Sequence, residues 1–168
     1  MALRKKKDSY TTFAYDFLKL DILVVCPSCS NQAIVKPGNF TFRNRDENDV
    51  KVICTKCGFN KRLSQTPSSV LYTSIGKAIV GRHYVMGGGI DPFFHLELWL
   101  KTEVEGHWMW AYNFEHLNFL REHVEAKLRE RNGQSLTNRS IGSRLPRWMT
   151  SRRNREIVLK KVSELQNK

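Results

Sequence analysis

Four cysteines carry the clearest chemistry in this sequence. Cys26-Pro27-Ser28-Cys29 and Cys54-Thr55-Lys56-Cys57-Gly58 are two Cys-x-x-Cys turns with 24 residues between them. Each turn sets two thiolates within reach of one ion, and two turns complete the tetrahedral sulfur shell that structural Zn²⁺ accepts. Pro27 pre-shapes the first turn, and Gly58 suits the positive φ needed on leaving the second. There is no fifth cysteine to act as a nucleophile. Two disulfides or a redox Cys-x-x-Cys are the competing chemistries. The basic start, Met1 to Asp8, lacks the apolar run of a secretory signal, and no thioredoxin-like βαβ pattern surrounds either pair. A bound Zn²⁺ is therefore the expectation.

The second concentration of chemistry is cationic. Of a net charge of +12, residues 127–168 supply +9, from twelve basic and three acidic side chains. Arg139, Arg144, Arg147, Arg152, Arg153 and Arg155 crowd the start of the last expected helix. Cations there oppose the helix dipole, so the cluster calls for an anion from outside or for an internal partner such as Glu115, Glu122 or Glu125. Around the cysteines, Arg43, Arg45, Lys51, Lys56, Lys61 and Arg62 interleave with Phe40, Phe42 and Phe59. Cations beside aromatics can neutralise phosphates and stack bases. Two of these phenylalanines are expected to pack inside, leaving Phe42 as the exposed one. Nucleic acid, DNA or RNA, is the expected partner, and an acidic protein is the alternative.

Catalytic patterns are sparse. His95 and Glu97 fall on one face of an expected strand and, with His107, make a candidate acid–base or nuclease set. No H-E-x-x-H or G-x-S-x-G appears, and Gly87-Gly88-Gly89 lacks the Lys-Ser/Thr of a phosphate loop. Binding without catalysis is expected, with a nuclease as the remaining alternative.

These residues need elements to position them. A chain of 168 residues, 40% hydrophobic and 26% charged, suits one domain with a metal-stabilised lobe or two small lobes. The spacing of Phe13, Phe17 and Leu20 predicts a helix over Ser9 to Leu20, capped by Ser9, after a basic arm at Lys5-Lys6-Lys7. Strands are expected at Leu23–Val25, Ala33–Val35, Phe40–Arg43, Val50–Ile53 and Phe59–Leu63, then a polar break at Ser64–Ser69. Residues 74–85 read as an irregular helix or strand. Alternation from Phe94 to Lys101 predicts a strand that pairs with His107–Tyr112 in a hairpin. Trp99, Trp108, Trp110 and Tyr112 there form either an aromatic platform or a covered face. A helix capped by Asn113 carries Phe114, Leu117, Leu120, Val124 and Leu128 as its stripe and stops at Asn132-Gly133. A short helix over 138–144 precedes Pro146, and Thr150 or Ser151 caps a final helix bearing Ile157, Val158, Val162 and Leu165. No apolar run reaches the ~20 residues of a membrane span, so a cytoplasmic location is expected, on the nucleoid if DNA is the partner.

Leu23 to Arg62 resembles the zinc-ribbon family, with Cys26, Cys29, Cys54 and Cys57 at the family's ligand positions. The resemblance implies a metal held between two turns on a small antiparallel sheet. It also implies work in transcription, replication or RNA machinery, or in holding subunits together. The remainder resembles bacterial zinc-ribbon proteins of unassigned function, which implies no mechanism. The expected fold is α+β: an arm and helix over 1–20, a zinc ribbon over 21–63, and over 70–168 a hairpin sheet packed by basic C-terminal helices.

Overall fold

A computed structural model describes residues 5–44, 46–126, 128–129 and 139–168. Two compact units divide the chain: Met1–Leu18 with Leu100–Lys168, and Lys19–Trp99. The chain enters the first unit through β1 (Lys5–Lys6) and the short helix α1 (Ala14–Leu18). The helix is shorter than the sequence suggests because Ser9 does not cap it. Ser9 is fully buried, with its hydroxyl 3.0 Å from Nδ1 of His123, while the Asp8 carbonyl accepts from the amides of Thr11 and Thr12 in a turn. The Asp16 carboxylate accepts instead from the Phe13 amide and opens the helix there. Nor is Lys6 part of a free arm: its side chain is buried over the Phe119 ring and paired with Asp8 and Glu122.

In the second unit, β-branched runs on either side of the cysteine turns build an antiparallel meander. Its strands are β2 (Ile22–Val25), β3 (Gln32–Lys36), β4 (Lys51–Ile53) and β5 (Asn60–Arg62), in that spatial order. The register pairs Val24 with Ala33, Val35 with Val52, and Val52 with Lys61. Ile22, Val24, Ala33, Val35 and Val52 are almost fully buried, and Val50 and Leu63 join them. Phe40–Arg43 is not a strand. Phe40 is buried in an aromatic cluster with Phe42, Tyr84 and Phe93, so side-chain packing takes the place of ladder hydrogen bonds. The polar run 64–69 lies within this unit and leads to a second hairpin, β6 (Ser69–Ser74) and β7 (Lys77–Gly81). That hairpin is exposed almost throughout, and its turn holds Ile75 fully exposed at φ +49°.

The expected strand from Phe94 is displaced. Asp91, fully buried, accepts from the amides of Phe93 (2.9 Å), Phe94 (2.8 Å) and Leu96 (2.6 Å), which curls residues 91–96 into a turn. His95 has φ +58°, which breaks the alternation of the sequence. Burial raises the Asp91 carboxyl above its ordinary range, and the three amides oppose that shift. Asp91→Ala strands three amide donors at once and should cost roughly 3 kcal/mol, read as a lowered urea midpoint. Asp91→Asn, which keeps one acceptor, should cost less.

The rest of the first unit follows from Leu100. β8 (Leu100–Val104) and β9 (His107–Ala111) form the hairpin, and α2 (Phe114–Glu125) begins at Asn113, whose side chain accepts from the His116 amide. Met109 and Ala111 are buried and Trp108 is exposed, so the face lacking tryptophans is the covered one. The helix ends earlier than its stripe implies: Leu128 lies in β10 (Leu128–Arg129), which pairs in parallel with β1. Lys127, Arg131 and the Asn132-Gly133 stop fall outside the described residues. Three helices follow among the described residues: α3 (Ile141–Arg144), α4 (Arg147–Thr150) and α5 (Arg155–Gln166). α3 is capped by Ser140, and Gly142 lies so close to the Ser9 carbonyl that a Cβ would sit 2.1 Å from its oxygen. α5 packs on α2 and β8 through Val158, Val162 and Leu165, while Ile157 is half-buried. The architecture is α+β: a four-stranded antiparallel sheet bearing the cysteines, smaller two-stranded sheets, and C-terminal helices.

His116 makes the first unit acid-sensitive. It is buried between the rings of Phe17 (4.8 Å) and Tyr112 (5.4 Å), and its Nδ1 accepts from the Tyr112 amide at 3.2 Å. Burial therefore lowers its pKa to about 3. The folded pKa lies below the unfolded value, so the stabilisation is complete above pH ~6.5 and drains away as pH falls toward 3. Between pH 7 and 4.5 the loss should be about 2–3 kcal/mol. Urea unfolding followed through Trp108, Trp110 and Trp148 of this unit should show that slope, and His116→Phe should flatten it.

Candidate metal centre

The two cysteine turns repeat one backbone design. In the first, the Ser30 amide donates to the Cys26 carbonyl (2.9 Å) and the Cys26 amide to the Asn31 carbonyl (2.7 Å). In the second, the Gly58 amide donates to the Cys54 carbonyl (3.0 Å) and the Cys54 amide to the Phe59 carbonyl (2.8 Å). Gly58 takes φ +76° as its type suggests, and Ser30 takes φ +58° at the equivalent place without glycine's freedom. That Ser30 strain had no sequence signal beyond its position after Cys29.

The sheet brings these turns together. Cys26 Sγ lies 3.7 Å from Cys57 Sγ, Cys29 Sγ lies 3.7 Å from Cys54 Sγ, and all four fall within 4.8 Å of one another. A tetrahedral ion with metal–sulfur bonds of about 2.3 Å needs sulfur–sulfur edges of about 3.8 Å. A disulfide needs about 2.05 Å, and all four cysteines are free. The quartet thus fits one ion held by four thiolates. Cys26 and Cys54 are buried and Cys57 is exposed, which places the centre at the surface end of the sheet. The Ser28 amide points at Cys26 Sγ (3.4 Å), a donor that favours thiolate.

Crowding splits the four thiols. The backbone and side chain of Asn31 hold Cys29 down to about 6. The Phe59 amide favours a Cys57 thiolate, but desolvation and the three neighbouring sulfurs push it up to about 11. Four negative sulfurs this close repel one another, and a divalent ion would supply the compensating charge.

The remaining candidate residues spread over both units. Lys56 is exposed in the second turn, Lys61 and Arg62 are exposed on β5, and Arg43 is exposed in the loop after Phe42. Lys51, on β4, is half-buried, and Arg45 lies outside the described residues. Phe42 packs against Phe40 and Tyr84 and is half-buried, whereas Phe59 has no ring partner among the described residues. Phe59 lines a groove of about 420 Å³ beside the first cysteine turn, together with Phe94 and Leu96, which the alternation pattern had placed in a strand.

His95 and Glu97 are exposed in the second unit, on an irregular segment rather than a strand. His95 Nε2 lies 2.9 Å from the His83 carbonyl. His107 belongs to the first unit, where its ring stacks on Trp148 at 4.9 Å and 10°. Among the described residues, the four cysteines are the one group of three or more His, Cys, Asp or Glu side chains close enough to share an ion. Of the arginines, Arg139, Arg144, Arg147, Arg152 and Arg153 are exposed and Arg155 is half-buried. Neither Thr150 nor Ser151 caps the last helix. Asn154 stands at that position without a side-chain cap, and Ser151 Oγ accepts from its amide. No helix among the described residues is long and apolar enough to cross a membrane. No family model matches the chain, and neither curated proteins nor solved structures include a match to it, so the assignment of a metal centre rests on the sulfur geometry itself.

Proposed function

We propose that this chain is a zinc-ribbon protein that binds nucleic acid without catalysing a reaction on it. The thiolate quartet would hold Zn²⁺, the ion best suited to four sulfurs in a closed structural site. Cys26, Cys29, Cys54 and Cys57 would be its ligands, and the ion would join the two turns and neutralise their charge.

The observation that carries the nucleic-acid reading is the state of the arginines. The side chains of Arg139, Arg147, Arg152 and Arg153 are exposed and make no ion pair or hydrogen bond among the described residues. Glu122, one of the internal partners available to them, is engaged by Lys6. Arg152, Arg153 and Arg155 lie at the start of α5, beside backbone amides without a side-chain cap, a setting that suits phosphate oxygens. Arg155 adds a buried Nε with no partner among the described residues.

Electrophoretic binding to single-stranded and duplex DNA and RNA at two salt concentrations tests this. The reading expects affinity that falls steeply with salt, because each neutralised phosphate releases counterions. A protein that shifts no nucleic acid yet is captured by an acidic protein after nuclease treatment would instead use these arginines as an adaptor surface.

A further inference from the structure

We infer that the groove beside the first cysteine turn receives an unpaired base of a single-stranded nucleic acid. This rests on the nucleic-acid reading and adds a site that the arginine cluster does not supply. The groove holds about 420 Å³, within the roughly 300–1,000 Å³ typical of small-ligand sites. Pro27 comes from the first cysteine turn, Val52 from β4, Lys61 from β5, Phe59 from the residue just before β5, and Phe94 and Leu96 from the turn after Asp91.

Three features point to a flat, anionic-backbone ligand. Phe40, Phe42 and Phe93 pack ring on ring, whereas Phe59 and Phe94 are half-buried in the same unit, have no ring partner among the described residues and both line the groove. Unpartnered aromatic faces at a groove are stacking surfaces for bases. The charge is complementary: among the described residues the lining carries Lys61 and no acidic side chain. Finally, the segment that carries Phe94 is set in advance. The buried Asp91 carboxylate holds the Phe94 and Leu96 amides, and His95 is fixed at positive φ between them. A preformed wall lowers the ordering cost of binding. A duplex keeps its bases stacked on each other and cannot offer one to this slot.

The test uses the full chain, with a short oligothymidylate carrying 5-iodouracil and a duplex of equal length as probes. Phe59→Leu with Phe94→Leu keeps apolar volume but removes both rings. Stacking contributes enough that single-strand affinity should fall roughly ten- to a hundredfold. Duplex affinity, salt slope and metal content should be unchanged, and unchanged metal content also shows that the variant is folded. Photo-adducts on wild-type protein should map to Phe59 or Phe94. Single-strand binding with adducts confined to 139–155, or equal losses on both probes, overturns the groove and leaves the arginine reading standing. If the wild type binds neither probe, both fall.

Discussion

Cys54→Ser should abolish metal binding and melt the four-stranded sheet. Cys54 is fully buried and faces Cys29 across the centre at 3.7 Å. A serine hydroxyl stays protonated at neutral pH, so one of four ligands and its charge are lost. The consequence is large because β2, β3, β4 and β5 are only three to five residues long. Their core of Ile22, Val24, Ala33, Val35 and Val52 is small. An ion held by the four sulfurs would tie the β2–β3 turn to the β4–β5 turn, a long-range link that the short ladders do not provide. Structural zinc contributes about 10–16 kcal/mol of apparent binding free energy, as much as the ~5–15 kcal/mol net stability of a typical domain. Hydrogen exchange should show the amides of Val24, Val35 and Val52 losing protection in the variant, and equally in wild-type protein stripped by a strong chelator. Retained protection in metal-free material would mean that the apolar core alone suffices.

The second large effect is on affinity. Replacing Arg139, Arg147, Arg152 and Arg153 together with glutamine should weaken binding to any nucleic acid by roughly 10²–10³-fold near physiological salt. The plot of log affinity against log salt should flatten by about three to four. Four exposed side chains without partners among the described residues should change stability little, each by within about 0.5 kcal/mol. Circular dichroism and metal content of the variant should match the wild type. Loss of affinity for one sequence alone would point to base recognition rather than phosphate contact.

Legibility in the sequence followed the range of the forces involved. The cysteine turns were readable because metal chemistry fixes residue type and local spacing, and β2 to β5 were readable as short apolar runs around them. The Asn113 cap and the β8–β9 hairpin are likewise local. What stayed hidden was set by distant partners. Lys6 reads as a solvated arm, and only Phe119 and Glu122 make it a buried cation. Ser9 reads as a helix cap until His123 claims its hydroxyl. Phe94 to Leu98 alternates like a strand, but one buried carboxylate, Asp91, bends it into a turn and aims Phe94 at the groove. The helical stripe through Leu128 fails for the same reason, since pairing with Lys5 takes that residue into a parallel bridge.

X-ray absorption at the zinc edge, with elemental analysis of the same purified protein, tests the central claim most directly. The account predicts one zinc per chain in a single shell of four sulfurs at about 2.3 Å. Substoichiometric metal, a shell containing nitrogen or oxygen, or a chain mass showing cysteines oxidised to disulfides would contradict it.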